Sequence, residues 1–86
     1  MSKIAFITGA SSGIGAACAR KFAQAGYTLL LNARSRDKLQ ALKEELENAN
    51  DIDVLLVPFD VRDREAATKA LTTLPEQYKS IDILVN

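Results

Sequence analysis

The segment Thr8-Gly9-Ala10-Ser11-Ser12-Gly13-Ile14-Gly15 holds three of the four glycines of the 86-residue chain. Each glycine has a mechanical use. Gly9 permits a sharp turn out of the apolar run that precedes it, and Gly13 leaves the backbone open to the close approach of a pyrophosphate. Gly15 lets the following helix pack closely against the sheet. Amide N–H groups at the start of such a helix point at the phosphates and are helped by the helix dipole. Ser11 and Ser12 add hydroxyl donors in the same place. The alternative is a Gly/Ser turn without a ligand, and the strand before and helix after the loop weigh against it. A mononucleotide P-loop is excluded, because Ala16 and Ala17 follow the last glycine where Lys and Ser/Thr are required.

Two further positions follow from that loop. In a dinucleotide-binding βαβ unit the second strand ends at the adenosine ribose. A carboxylate there accepts from the ribose 2′-OH and repels a 2′-phosphate. Here Ala33 takes that place, followed by Arg34 and Ser35. A guanidinium grips a phosphate with matched charge and fork geometry, so NADP is favoured over NAD. The alternative for Arg34 is an ordinary solvated arginine at a helix start, and Arg36 either assists it or faces solvent. The absence of an acidic residue also counts against a methyltransferase on the same fold. Asp60 falls at the carboxyl end of the third apolar run, on the ligand side of a parallel sheet, where it either meets the nucleotide or caps a turn.

These positions require an alternating frame. Lys3 to Thr8, Tyr27 to Ala33, Val54 to Phe59 and Ile81 to Val85 are short, nearly continuous apolar runs, the pattern of parallel strands buried on both faces. Between them lie helical patterns. The first places Ile14, Ala17, Cys18, Phe22 and Ala25 on one face and ends at Gly26 as a left-handed cap. The second has Ser35 as N-cap, Asp37 in its first turn and Leu39, Leu42, Leu46 and Ala49 as its buried face. The third has Asp63 as N-cap, carries Ala67, Ala70, Leu71 and Leu74, and is stopped by Pro75. Asn48 to Asp51 reads as a polar loop, and Tyr78 lies in another. The order β-α-β-α-β-α-β implies an α/β doubly wound parallel sheet with right-handed crossovers. In the sheet order 3-2-1-4 the third strand is outermost, which suits Pro58, a residue that cannot donate to a ladder.

Composition bounds the rest. Eleven basic and eleven acidic residues cancel, which argues against a nucleic-acid or anionic-membrane surface. No run approaches the ~20 apolar residues of a membrane span, and the N-terminus lacks a secretory pattern, so a soluble cytoplasmic protein is expected. One cysteine, Cys18, and no histidine exclude an internal disulfide and a structural zinc site; Cys18 reads as a small core residue. Residues 1–86 allow one small domain. The chain closes on an apolar strand with no polar tail, so it is expected to be a fragment.

The spacing Thr-Gly-x-x-x-Gly-Ile-Gly, with Asp60-Val61 after the third strand and Asp82-Ile83-Leu84-Val85-Asn86 at the fourth, resembles the short-chain dehydrogenase/reductase family in its single-domain, Rossmann-type form. The extended members of the family space the glycines as Gly-x-x-Gly-x-x-Gly, a pattern that Ser12 breaks. The resemblance runs the length of the chain and implies an N-terminal cofactor-binding portion. It assigns Gly9, Ala10, Ser11, Ser12, Gly13, Ile14 and Gly15 to the pyrophosphate end of NADP and Arg34 with Ser35 to the 2′-phosphate. Asp60 would meet the adenine amino group, with Val61 beside the ring, while Asn86 supports its strand. The family transfers a hydride between nicotinamide and a carbinol or carbonyl carbon, using a serine and a tyrosine followed four residues later by lysine. Leu31 and Asp82 stand four residues after Tyr27 and Tyr78, so neither tyrosine fits that role. No catalytic residue is therefore assigned. The segments Asp60 to Arg64, Ala66-Ala67, Leu74-Pro75 and Ile81 to Asn86 resemble NADP-dependent 3-hydroxy acid (serine/allo-threonine) dehydrogenases. A small-molecule substrate, a 3-hydroxy acid or similar small alcohol or carbonyl, and a homo-oligomer are implied for the full protein. The other reading is a nucleotide-binding module or scaffold without catalytic activity.

Overall fold

The computed structural model describes residues 3–60, 62–78 and 80–85. Four strands, β1 (Ile4–Ile7), β2 (Thr28–Leu31), β3 (Val54–Leu56) and β4 (Ile83–Val85), alternate with three helices, α1 (Gly13–Gln24), α2 (Arg36–Ala49) and α3 (Arg64–Thr72). A short 3₁₀ turn over Glu76–Tyr78, absent from the sequence reading, precedes β4. The sheet is parallel with the order β3-β2-β1-β4, as the sequence leads one to expect. Pro58 lies just past the edge strand β3, beyond the ladder where its missing N–H would matter.

Strand alternation divides the interior in two. Ala5, Ile7, Leu29 and Leu31 pack toward α1 and α2 with Ala19, Ala23, Leu39, Leu42 and Leu46. Ile4, Phe6 and Leu30 face the other way and meet Val57 and Leu74. Covering both faces is why the strands read as unbroken apolar runs. Asp82 ties the edge strand β4 to β1 at their entry: its carboxylate accepts from the Ile4 N–H at 2.8 Å.

The helix ends follow the local chemistry. Ser12, Ser35 and Asp63 cap α1, α2 and α3, each accepting from an amide three residues on. At the far end of α1, Gly26 takes φ +86°. Tyr27 N–H donates to the Phe22 carbonyl and Gly26 N–H to that of Ala23, the paired bonds of a Schellman stop. Phe22 and Tyr27 complete it with an edge-on ring contact at 4.9 Å.

The expected face of α1 is corrected by one residue, about 100° of helix rotation. Its buried residues are Gly15, Ala19 and Ala23; Cys18 and Phe22 are half-buried, while Ile14, Ala17 and Ala25 are exposed. The physical reason is close approach: the small residues, not the large ones, touch the sheet. Ala49 is likewise exposed, and α2 runs through Asn48 to Ala49 where a loop was expected. α3 ends at Thr72, three residues before Pro75, with no fully buried residue; Leu71 is exposed, and Leu74 reaches the core only from beyond the helix.

Candidate nucleotide site

All three β-to-α connections leave from the same edge of a parallel sheet, so the ends of β1, β2 and β3 bring their loops together there. Gly9 turns the chain at φ +62°, a left-handed conformation that a side chain would strain. Its carbonyl then accepts from both the N–H (3.0 Å) and the hydroxyl (2.8 Å) of Ser12. The Ser12 oxygen in turn accepts from Gly15 N–H at 3.1 Å. The Ser12 hydroxyl proton is thus committed within the loop, and its work is to hold the turn against α1. Ala16 N–H donates to the Ser12 carbonyl. The amides of Gly13 and Ile14 belong to the first helical turn, which has no acceptor inside the helix ladder.

Gly15 is buried, and a Cβ there would overlap the Gly9 carbonyl oxygen. The helix therefore closes onto the loop itself. Gly13 is the opposite case: a Cβ would meet nothing within 4 Å, so its face is open space. Thr8 anchors the start of the loop to β4, with both N–H (2.9 Å) and hydroxyl (3.1 Å) donating to the Val85 carbonyl.

A cleft of about 370 Å³ runs along these loops. From the glycine loop it is lined by Gly9, Ser11 and Ser12; from the β2 end by Asn32, Ala33 and Arg34; from the β3 end by Phe59, Asp60 and Arg62. Five of the residues singled out from sequence, Gly9, Ser11, Ser12, Arg34 and Asp60, therefore meet in one cleft. Ala10, Gly13, Ile14, Gly15 and Ser35 are not part of its wall. Ala10 is fully buried and gives its N–H to the Asn32 carbonyl. Ile14 projects at 84% exposure. Ser35 is the cap of α2. Val61, like Asn86, lies outside the described residues.

Three cleft residues escaped the sequence reading. Asn32 is buried, and its amide NH₂ donates to the carbonyls of Val57 and Phe59, both at 3.0 Å. It carries the pairing of β2 and β3 beyond the end of the ladder and shapes the cleft floor. One polar residue closing an otherwise apolar run was the available signal. Phe59 continues the wall and meets Phe6 at a ring separation of 6.5 Å. Arg62 donates to Asp60 three times: backbone N–H to Oδ1 (2.9 Å), Nε to Oδ1 (3.1 Å) and a terminal nitrogen to Oδ2 (2.9 Å). These bonds, with a smaller contribution from the charge of Arg34, hold the Asp60 carboxyl at a pKa of about 2. Asp60, expected to turn toward a base, here turns to Arg62.

A glycine turn and a cationic strand end in one cleft, next to an open helix start, are the features by which a family can be tested. A model of the short chain dehydrogenase family matches residues 3–86. The chain belongs to the short chain dehydrogenases. It is 42% identical to a sulfoacetaldehyde reductase of Chromohalobacter salexigens over 86 residues, all of this chain and 33% of that protein. An NADP-dependent 3-hydroxy acid dehydrogenase of Salmonella typhi is 40% identical over 83 residues, 96% of this chain and 32% of its own. The fold superposes on L-sorbose reductase from Gluconobacter frateurii, solved with NADPH and L-sorbose, at a TM-score of 0.90 and 38% identity, covering 99% of this chain and 32% of that one. The chain thus spans about a third of the length of the relatives it matches. Among the described residues, no helix of this short chain dehydrogenase is long and apolar enough to cross a membrane.

Proposed function

We propose that residues 1–86 form the cofactor-binding portion of an NADP-dependent oxidoreductase acting on a 3-hydroxy acid or a similar small alcohol or carbonyl. The observation that carries the cofactor is Arg34 in the cleft wall beside Ala33, with no carboxylate on the β2 end to repel a 2′-phosphate. The residues fit the group: Gly13 faces open space where phosphate must come close, and the amides of Gly13 and Ile14 lack helix partners. Gly9, Ser11 and Ser12 form the wall next to that opening. NADP, when bound, supplies the hydride acceptor or donor. The residues here bind and orient it; in the family the acid/base chemistry belongs to a serine and a Tyr-x-x-x-Lys, and no Tyr-x-x-x-Lys occurs within residues 1–86.

The substrate class draws its support from two relatives, one named for sulfoacetaldehyde and one for 3-hydroxy acids. The same reading includes a cytoplasmic setting and a homo-oligomer for the full protein. The decisive test is equilibrium titration with NADPH and NADH, followed by their fluorescence, on the protein and its Arg34→Ala variant. Losing the charged hydrogen bonds to a 2′-phosphate should weaken NADPH binding roughly 10- to 100-fold and leave NADH nearly unchanged. An unaltered preference for NADPH would overturn the assignment.

A further inference from the structure

Arg62 stands at the mouth of the cleft with its side chain 75% exposed, holding a carboxylate that is 34% exposed. Ion pairs this open to water contribute little to stability. The main-chain bond closes a turn at Asp60, but the two guanidinium bonds need a reason other than holding the fold. The charges in the cleft supply one. Arg34 and Arg62 line it together with Asp60. Asp60 is close enough to Arg34 for that charge to favour its ionised form. A carboxylate so placed has two effects on a bound 2′-phosphate: it repels the phosphate, and it competes with it for the Arg34 guanidinium. Among the described residues Arg34 enters no ion pair, whereas Asp60 is fully engaged by Arg62.

We propose that Arg62 is a specificity-determining residue for the 2′-phosphorylated cofactor, acting by neutralising and holding Asp60 so that Arg34 is left free for the phosphate. This rests on the NADP reading given above. With the pair in place the Asp60 carboxylate is engaged by Arg62, and Arg34 is left for the phosphate. Without Arg62 the carboxylate is released to pair with Arg34 and to repel the phosphate. A phosphate monoester carries about −1.5 to −2 charges at neutral pH, so that difference acts on the 2′-phosphate and hardly at all on a ribose hydroxyl. Arg62 is thus a positioning residue, and its signature is a change in the ratio of two affinities.

The test is a double-mutant cycle read as dissociation constants for NADPH and NADH by fluorescence titration. The proteins are the wild type, Arg62→Gln, Asp60→Asn and the double variant, with Arg34→Ala alongside. Arg62→Gln should lower the NADPH-over-NADH affinity ratio about fivefold, the upper end of what an exposed charge pair contributes. Asp60→Asn should keep or raise the ratio, and in its background Arg62→Gln should change it less than twofold. An unchanged ratio in Arg62→Gln overturns the proposal, as does an equal loss for both nucleotides, which would mark a purely structural role. A full effect of Arg62→Gln in the Asp60→Asn background also overturns it, since Arg62 would then act on the phosphate by its own charge and not through Asp60. Arg34→Ala separates the two readings. If it keeps the NADPH preference, the cofactor assignment fails. If it loses the preference while Arg62→Gln does not, only the role of Arg62 fails.

Discussion

Gly13 and Gly15 are two residues apart and owe their identity to opposite causes. At Gly15 the constraint is inside the protein: a Cβ would overlap the Gly9 carbonyl oxygen, and that oxygen is backbone, unable to swing away. Gly15→Ala should therefore push the loop off α1, at a cost of about 2–3 kcal/mol. At Gly13 the protein leaves open space. Gly13→Ala should fold with a thermal midpoint at or slightly above the wild type, because alanine favours a helix over glycine. It should nevertheless lose at least tenfold in NADPH affinity, since a methyl group then occupies the approach of the pyrophosphate. Thermal unfolding and nucleotide titration of the two variants check this together. A Gly13→Ala protein that binds NADPH normally would mean that the phosphates lie elsewhere.

Among the elements, the strand ends hold the site more firmly than the strands themselves. β2 and β3 pair over three residues; past them the Val57 N–H donates to the Leu31 carbonyl, and the Asn32 amide spans to the carbonyls of Val57 and Phe59. Asn32→Ala leaves both carbonyls without that donor, for a loss of about 2–4 kcal/mol. Asn32→Asp should be worse, because it sets a carboxylate against two carbonyl oxygens. Chemical denaturation gives the ranking, and an Asn32→Ala protein as stable as the wild type would show that this link contributes nothing.

What the sequence made legible divides along the same line. The sheet order could be read because apolar runs of five to seven residues, separated by capped helices, admit few arrangements. Ser12, Ser35 and Asp63 could be read as caps because capping is a local interaction. The face of α1 could not, since its packing favours the small Gly15, Ala19 and Ala23 over the more hydrophobic Ile14 and Phe22. That preference arises from how close the helix must come, which no periodicity encodes. Asn32 was missed for a related reason: its partners, the Val57 and Phe59 carbonyls, are set by where β3 ends relative to β2. Arg62 pairs locally with Asp60, and what the sequence did not carry is that this pair lines the same cleft as Arg34.

At the scale of the whole molecule the sheet is covered unequally. On one face α1 and α2 each bury three residues, with Leu39, Leu42 and Leu46 filling the space over β2 and β3. On the other, α3 buries none, and Leu74, beyond its end, anchors that side. Apolar surface remains open there, including Leu71 at 40% and Leu84 at 64% exposure. Local opening is cheapest where few apolar groups must be exposed to water, so α3 should belong to the least protected part of the fold. Native-state hydrogen exchange should show the α3 amides exchanging faster than those of α1 and α2, by an order of magnitude or more, and faster still than the central strands β1 and β2. Because the Asp60–Arg62 pair sits on the connection leading into α3, its geometry depends on the less firmly held face, while Gly9, Ser12 and Asn32 belong to the firmer one. Nucleotide binding across the cleft should then slow exchange in α3 more than in α1. Equal protection of the three helices would show instead that the two faces open as one cooperative unit.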